Sequence, residues 1–212
     1  CSFLFTNAEV NDFDYTNHYM KFRGPDATSS INVNEYTFAH NILSITGNFT
    51  PQPFVDHDDE IVCVYNGQIY NYDDYGDYSS DGECIIPTYK KFGERAFVTL
   101  DGEFAIVLAD FKNNLLHLVT DPFATKPLWY GIDGNKIGVA SYESAVKSLG
   151  FRKVIKQDAN KILTFNLETK EFIKEMPTYE FILHQFNDSF DGWISAFKDS
   201  IRKRTRGIRE KV

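Results

Sequence analysis

An α+β fold rich in antiparallel sheet is what this sequence predicts. Apolar or alternating runs of strand length recur along most of the chain, several are joined by turn-forming residues, and helical periodicity is confined to three stretches. The first strand-like run is Cys1 to Phe5, followed by Tyr36 to Thr46, Ile61 to Tyr65 and Phe104 to Ala109. Leu115 to Val119 comes next, after Lys112-Asn113-Asn114, which reads as a hairpin turn. Leu128 to Ile132 meets Lys136 to Ala140 across Asp133-Gly134-Asn135, and Asp-Gly between two apolar runs is a strong hairpin signal. Ile162 to Asn166 and Glu171 to Lys174 form another pair about the turn at Leu167 to Lys170. The first helical stretch, Glu83 to Phe92, places Ile85, Ile86, Tyr89 and Phe92 on one face, with Asp81 as N-cap and Gly93 at its end. The second, Tyr142 to Leu149, is capped by Ser141 and stopped by Gly150.

No repeat or low-complexity linker interrupts residues 1–175, which are expected to form one domain. Residues 176–212 are expected to add an amphipathic helix, since Trp193, Phe197 and Ile201 recur every fourth residue. Arg202, Lys203, Arg204, Arg206, Arg209 and Lys211 follow. That basic end reads either as a solvated tail or as a docking edge for a partner.

The composition is ordinary for a globular domain, with 42% hydrophobic and 25% charged residues in 212. A net charge of −8 weighs against a general nucleic-acid or anionic-membrane binder, so the 12 tyrosines and 19 phenylalanines are read as core. No apolar run approaches the roughly 18 residues of a membrane span, and the first residues lack the layout of a signal peptide. Cys1, Cys63 and Cys84 show no C-x-x-C spacing, so neither a disulfide framework nor a zinc knuckle is supported. A soluble protein in a reducing, cytoplasmic compartment is expected, with Cys63 and Cys84 buried and inert. The acidic run Asp56 to Glu60 reads as solvated loop, and His18, His40, His117 and His184 share no ligand spacing, so no metal or cofactor is expected. Oligomeric state is not legible.

Chemistry is suggested first by Cys1. A chain beginning with Cys carries a thiol and a free α-amine on one residue, and with an ordinary amine pKa of about 7.7–8.0 an appreciable fraction of that amine is a base near neutrality. Such an amine takes the thiol proton and later hands it to a leaving group. Asn66-Gly67 directly follows an apolar strand, and the pair reads either as a β-turn or as a two-donor oxyanion hole made of an amide side chain and a backbone N–H. Asp81 reads either as a helix cap or as a carboxylate facing a ligand ammonium.

Taken in order, the motifs resemble the glutaminase domain of class II glutamine amidotransferases, which are N-terminal nucleophile hydrolases, and most closely that of asparagine synthetases. They are Cys1, R-G-P-D at 23–26, H-N-x-L-S-I at 40–45, Q-P at 52–53, N-G-Q-I-Y-N at 66–71 and S-D-G-E at 80–83. L-D-G-E-F-A at 100–105, D-P-F-A-T-K-P-L-W-Y-G at 121–131 and A-S-Y-E-S at 140–144 complete the set. The resemblance implies a four-layer αββα sandwich with two antiparallel sheets. It implies Cys1 as the nucleophile attacking the side-chain amide of L-glutamine, Asn66 and the Gly67 N–H as the oxyanion hole, and Asp81 as the partner of the substrate ammonium. Arg23 would fix the geometry near Cys1, and Gln68, Ser44 and Ile45 would line the substrate pocket.

Two departures qualify that picture. The family pattern H-x-R-L-S-I carries an arginine that grips the substrate α-carboxylate, and here Ile42 stands in its place. A charge-assisted bidentate pair is worth about 1.5–3 kcal/mol, so affinity for glutamine should fall at least tenfold unless Lys126, Arg23 or backbone donors of Ser44 to Thr46 substitute. A non-catalytic docking module, or a hydrolase of amides lacking an α-carboxylate, are the competing expectations. The S-G-G-x-D-S loop of an ATP-pyrophosphatase domain is also absent from these residues. A separate ATP-dependent synthetase would then use the ammonia, and the helix at Trp193 to Arg206, which resembles the one that opens such a domain, is expected to be its remnant or a docking element for that partner.

Overall fold

The structure, a computed structural model, describes residues 1–45, 47–183, 186 and 189–205. Thr46, His184, Arg206, Arg209 and Lys211, named above, lie outside the described residues. In chain order the strands are β1 (Ser2–Thr6), β2 (Ala27–Val33), β3 (Tyr36–Ile42), β4 (Phe54–Asp56), β5 (Ile61–Ile69), β6 (Gly102–Asp110), β7 (Leu115–Thr120), β8 (Trp129–Asp133), β9 (Lys136–Ala140), β10 (Ile155–Lys156), β11 (Lys161–Asn166) and β12 (Phe172–Met176). The helices are α1 (Phe13–Asn17), α2 (Ile85–Phe92), α3 (Ala96–Thr99), α4 (Glu143–Ser148) and α5 (Asp191–Thr205).

The strands form two six-stranded sheets, ordered β10-β8-β9-β1-β3-β2 and β12-β11-β7-β6-β5-β4, and every pairing is antiparallel. The alternation of side chains along each strand sorts them into layers. Phe3 and Phe5 of β1, Phe38 of β3 and Val62 and Val64 of β5 meet in the core between the sheets. Leu4, Ala39 and Ala140 turn outward beneath α1 and α4, with Phe13, Ala145 and Val146. Ile61, Cys63, Tyr65 and Ile69 turn the other way, beneath Ile85, Ile86 and Tyr89 of α2 and Ala96 and Phe97 of α3. The result is an αββα sandwich, as expected.

Several expected bounds shift. β3 ends at Ile42, short of Thr46, and the helix expected from Glu83 is a 3-10 turn over Asp81–Cys84 leading into α2. Its N-cap is Ser80, whose N–H donates to Glu83 Oε2 at 2.8 Å, so Asp81 is not the cap. Asn66-Gly67 is not a turn either, because β5 runs through it in unbroken register with β6, Asn66 opposite Ala105 and Gly67 opposite Phe104. β2 was not expected from its polar sequence, yet it pairs along its whole length with β3 at the sheet edge.

Cys63 and Cys84 are fully buried, and burial pushes the Cys84 thiol up to about 12. Asp56 and Asp59 pair with Lys90 at 2.6 and 2.7 Å. Among the described residues no helix is long and apolar enough to cross a membrane, and no cluster of three or more His, Cys, Asp or Glu is placed to hold a metal. α5 buries none of its side chains. Trp193 and Phe197 stack on each other in the open, Lys203 pairs with Asp101, and the Arg204 guanidinium lies 4.7 Å above the Tyr70 ring.

Candidate active site

The site follows from the same alternation. Cys1, two residues before Phe3, continues the face of β1 that looks into the sandwich, and Asn66, two residues after Val64, continues the inward face of β5. Both reach the end of the sandwich, where a cavity of about 330 Å3 opens. That volume lies at the lower end of the range for small-molecule sites. Its walls bring together every residue singled out from the sequence: Cys1, Arg23, Ser44, Ile45, Asn66, Gly67, Gln68 and Asp81, together with Ile42 and Lys126.

Cys1 is held from several sides. Its amine donates to Arg23 O at 2.9 Å, and its sulfur accepts from the Leu43 N–H at 3.3 Å. Burial, with the positive charges of Arg23 and then Lys126, holds the amine down to about 5, against the opposing charge of Asp26. The amine is therefore unprotonated at neutral pH, further toward the base than its ordinary value suggests. The strand behind Cys1 is anchored by a buried polar network. Ser2 Oγ donates to Met20 O at 2.7 Å, and Asn41 Nδ2 donates to Ser2 Oγ at 3.0 Å, while Asn17 and Thr28 donate to Asn41 Oδ1. Gly24 allows the R-G-P-D loop to press on this strand, since a Cβ there would stand 2.1 Å from Asn41 O.

Opposite Cys1, the decisive feature is an exposed length of strand edge. β4 pairs only with Ile61, Val62 and Cys63, so from Tyr65 onward that edge of β5 has no strand neighbour. Side chains take over. Tyr65 N–H donates to Gln52 Oε1 at 2.8 Å, and Tyr65 O accepts from His40 Nε2–H at 3.1 Å. The same edge recurs at every second residue, and four residues on the Ile69 N–H donates to Asp81 Oδ2 at 2.8 Å. Between them, the Gly67 N–H faces this edge and hence the cavity. The missing Cβ serves the other side of the strand, where it would stand 2.2 Å from Glu103 O. Beside it, Asn66 is 2% exposed and its Nδ2 has no hydrogen-bond partner, a rare condition for a buried amide.

His40 was set aside in the sequence as lacking ligand spacing, and Gln52 drew notice only as part of a motif. Both hold the carbonyl and N–H of the residue preceding Asn66. Burial lowers His40 to about 3, so it stays neutral and its Nε2 keeps the proton it donates. Its inward position on β3, alternating from Phe38, was the signal that could have found it. Asp81 is also more embedded than expected. Its Oδ2 accepts from Tyr65 Oη at 2.7 Å as well as from Ile69 N–H, and burial raises its carboxyl against these donors. The backbone donor of Ser44 is already committed to Asp26 Oδ2 at 2.8 Å.

Two six-stranded antiparallel sheets inside an αββα sandwich make the fold of the N-terminal nucleophile hydrolases. A model of the glutamine amidotransferase domain family matches residues 3–181, and the chain belongs to that family. Among curated proteins it is similar to the amidase chyE of Penicillium rubens, at 30% identity over 183 residues, 80% of this chain and 27% of that protein. It is also similar to asparagine synthetase [glutamine-hydrolyzing] 1 of Saccharomyces cerevisiae, at 32% over 139 residues, 61% of this chain and 24% of that one. The chain thus spans about a quarter of the length of these two relatives. Among solved structures, the glutamine phosphoribosylpyrophosphate amidotransferase of Bacillus subtilis shares the fold, with a TM-score of 0.67 at 17% identity over 86% of this chain and 50% of that one.

Proposed function

We propose that this domain hydrolyses the side-chain amide of L-glutamine to glutamate and ammonia through a thioester on Cys1, exposed as the amino terminus. The Cys1 amine takes the thiol proton as sulfur attacks the amide carbon. The oxygen that becomes negative is met by Asn66 Nδ2–H and the Gly67 N–H. Collapse of the adduct breaks the carbon–nitrogen bond, and the ammonium of Cys1 returns its proton to the departing ammonia. Water, deprotonated by the same amine, then cleaves the thioester and releases glutamate. The observation that carries this reading is the unpartnered, buried Nδ2 of Asn66 in the wall of the cavity that holds Cys1. Two aligned donors facing a developing oxyanion are commonly the largest single contribution to acyl-transfer catalysis.

The ammonia would pass to an ATP-dependent synthetase unit, since an amide nitrogen released next to solvent is lost unless an activated acceptor receives it. Relatives named as glutamine-hydrolysing asparagine synthetases support this, as does the exposed stripe of Trp193, Phe197 and Ile201 on α5 as a docking element. A second reading, hydrolysis of an amide without an α-carboxylate, is favoured by one observation. Ile42, Leu43, Ile45 and Phe22 make much of one cavity wall apolar.

Ammonia release from L-glutamine, measured for the chain beginning at Cys1 and for Cys1→Ala, tests the proposal. Turnover that vanishes with Cys1→Ala is expected, with mass spectrometry of the amino terminus showing a free, unacylated Cys1. Turnover that survives Cys1→Ala sinks it.

A further inference from the structure

A glutamine bound with its amide at Cys1 must also place its α-carboxylate, and an unpaired carboxylate in a confined cavity is expensive. Ile42 offers it nothing, and the Ser44 N–H is already spent on Asp26. The cationic side chains that line the cavity are Arg23 and Lys126. The Arg23 guanidinium lies over the Tyr142 ring, 5.8 Å from its centre, toward the helix layer. Lys126 is different. About three-quarters of its side chain is covered, yet its nearest anion, Glu103 Oε1, is 3.6 Å away, beyond hydrogen-bond distance, and its ammonium makes no hydrogen bond to another described residue.

The backbone ahead of Lys126 is rigid. The Asp121 carboxylate accepts from the N–H groups of Phe104, Phe123 and Thr125 at 2.9–3.0 Å and from Thr125 Oγ1 at 3.1 Å, which ties the turn to β6. Lys126 therefore leaves a fixed turn and enters the cavity with three uncommitted donors. Its charge is also among those that hold the Cys1 amine down, which places it within reach of the reacting end.

We infer that Lys126 binds the α-carboxylate of the substrate and makes this site selective for an α-amino acid amide, in place of a cation at position 42. Glu103 holds the ammonium loosely until the substrate carboxylate displaces it. The inference rests on the glutamine reading above, and the test separates the two. Binding is measured by calorimetry on Cys1→Ala, which cannot turn over, with L-glutamine and with 4-aminobutanamide, which is glutamine without its carboxylate. We expect glutamine to bind at least tenfold more tightly than 4-aminobutanamide. That ratio should collapse by about tenfold in Cys1→Ala/Lys126→Met and be largely restored by Lys126→Arg. Circular dichroism of each variant establishes that it is folded.

A ratio unchanged by Lys126→Met overturns the inference, as does a collapse produced by Arg23→Met instead. Absence of measurable glutamine binding also overturns it, whichever amide the Cys1 protein hydrolyses. A ratio that collapses as expected while the Cys1 protein releases no ammonia upholds the inference and sinks the hydrolytic reading.

Discussion

In the proposed hydrolysis, the protonation of the Cys1 amine sets where along the pH scale the site works. An ordinary α-amine titrates near 8.0, whereas here burial, assisted by Arg23 and Lys126, brings it down to about 5. The base must be neutral to take the thiol proton, so activity rises as pH rises through the amine's own value and then levels off. At pH 6 an amine titrating at 5 is roughly 90% free, and one titrating at 8 is roughly 1% free. The environment is therefore worth close to two orders of magnitude in competent enzyme at that pH. The assay is kcat/KM for ammonia release from glutamine between pH 4.5 and 8.5. A plateau reached by about pH 6 is expected, with no further rise toward 8. Adding one residue ahead of Cys1 replaces the amine with a peptide nitrogen and should abolish turnover across the range. A limb centred near 8 in the unextended protein would refute the assignment, because it would mean that the amine feels neither the burial nor the two cations.

Other consequences bear on the facing strand. Asn66→Ala should lower kcat by roughly 10²–10³ with little change in KM, the size expected for losing one oxyanion donor; equal losses in binding and turnover would argue for a structural role. Gln52→Ala leaves the Tyr65 N–H without its acceptor, which should cost about 1–3 kcal/mol in chemical denaturation and reduce kcat as the β5 edge relaxes. His40 and His117, lowered by burial to about 3 and 4, are neutral in the fold and titrate near 6.5 once unfolded. Their contribution to stability is complete above about 6.5 and is lost as pH falls toward 4 and then 3. Thermal melts over that window should show a steep acid slope that His40→Gln makes shallower.

The hairpins were legible because their apolar residues repeat every second position and their turns carry Asp-Gly or Asn-Asn. β2 was not, since Thr28, Ser30 and Asn32 read as loop when taken alone. Pairing along the full length of β3 makes it a strand at the sheet edge, where polar residues are tolerated. Asn66-Gly67 shows the same conflict at the site. The dipeptide favours a turn, but nine consecutive pairs from Ile61 to Ile69 hold it in the ladder with β6, and the cross-strand register outweighs the local preference.

Asp81 marks where local reading runs out altogether. At the start of a helical segment a carboxylate is ordinarily a cap, and nothing nearby in sequence says otherwise. Ser80 and Glu83 serve that end, which leaves Asp81 free to accept from the phenol of Tyr65 and the N–H of Ile69. Both partners belong to a strand that only the sheet topology brings alongside. With Gln52 at one end and Asp81 at the other, the truncation of β4 becomes the device that makes the site. Carrying that ladder four residues further, so that position 52 pairs with Tyr65 and position 50 with Gly67, would consume the Gly67 N–H that faces the cavity. Extending β4 by four residues in register with β5 should therefore leave a stable sandwich with no amide hydrolysis.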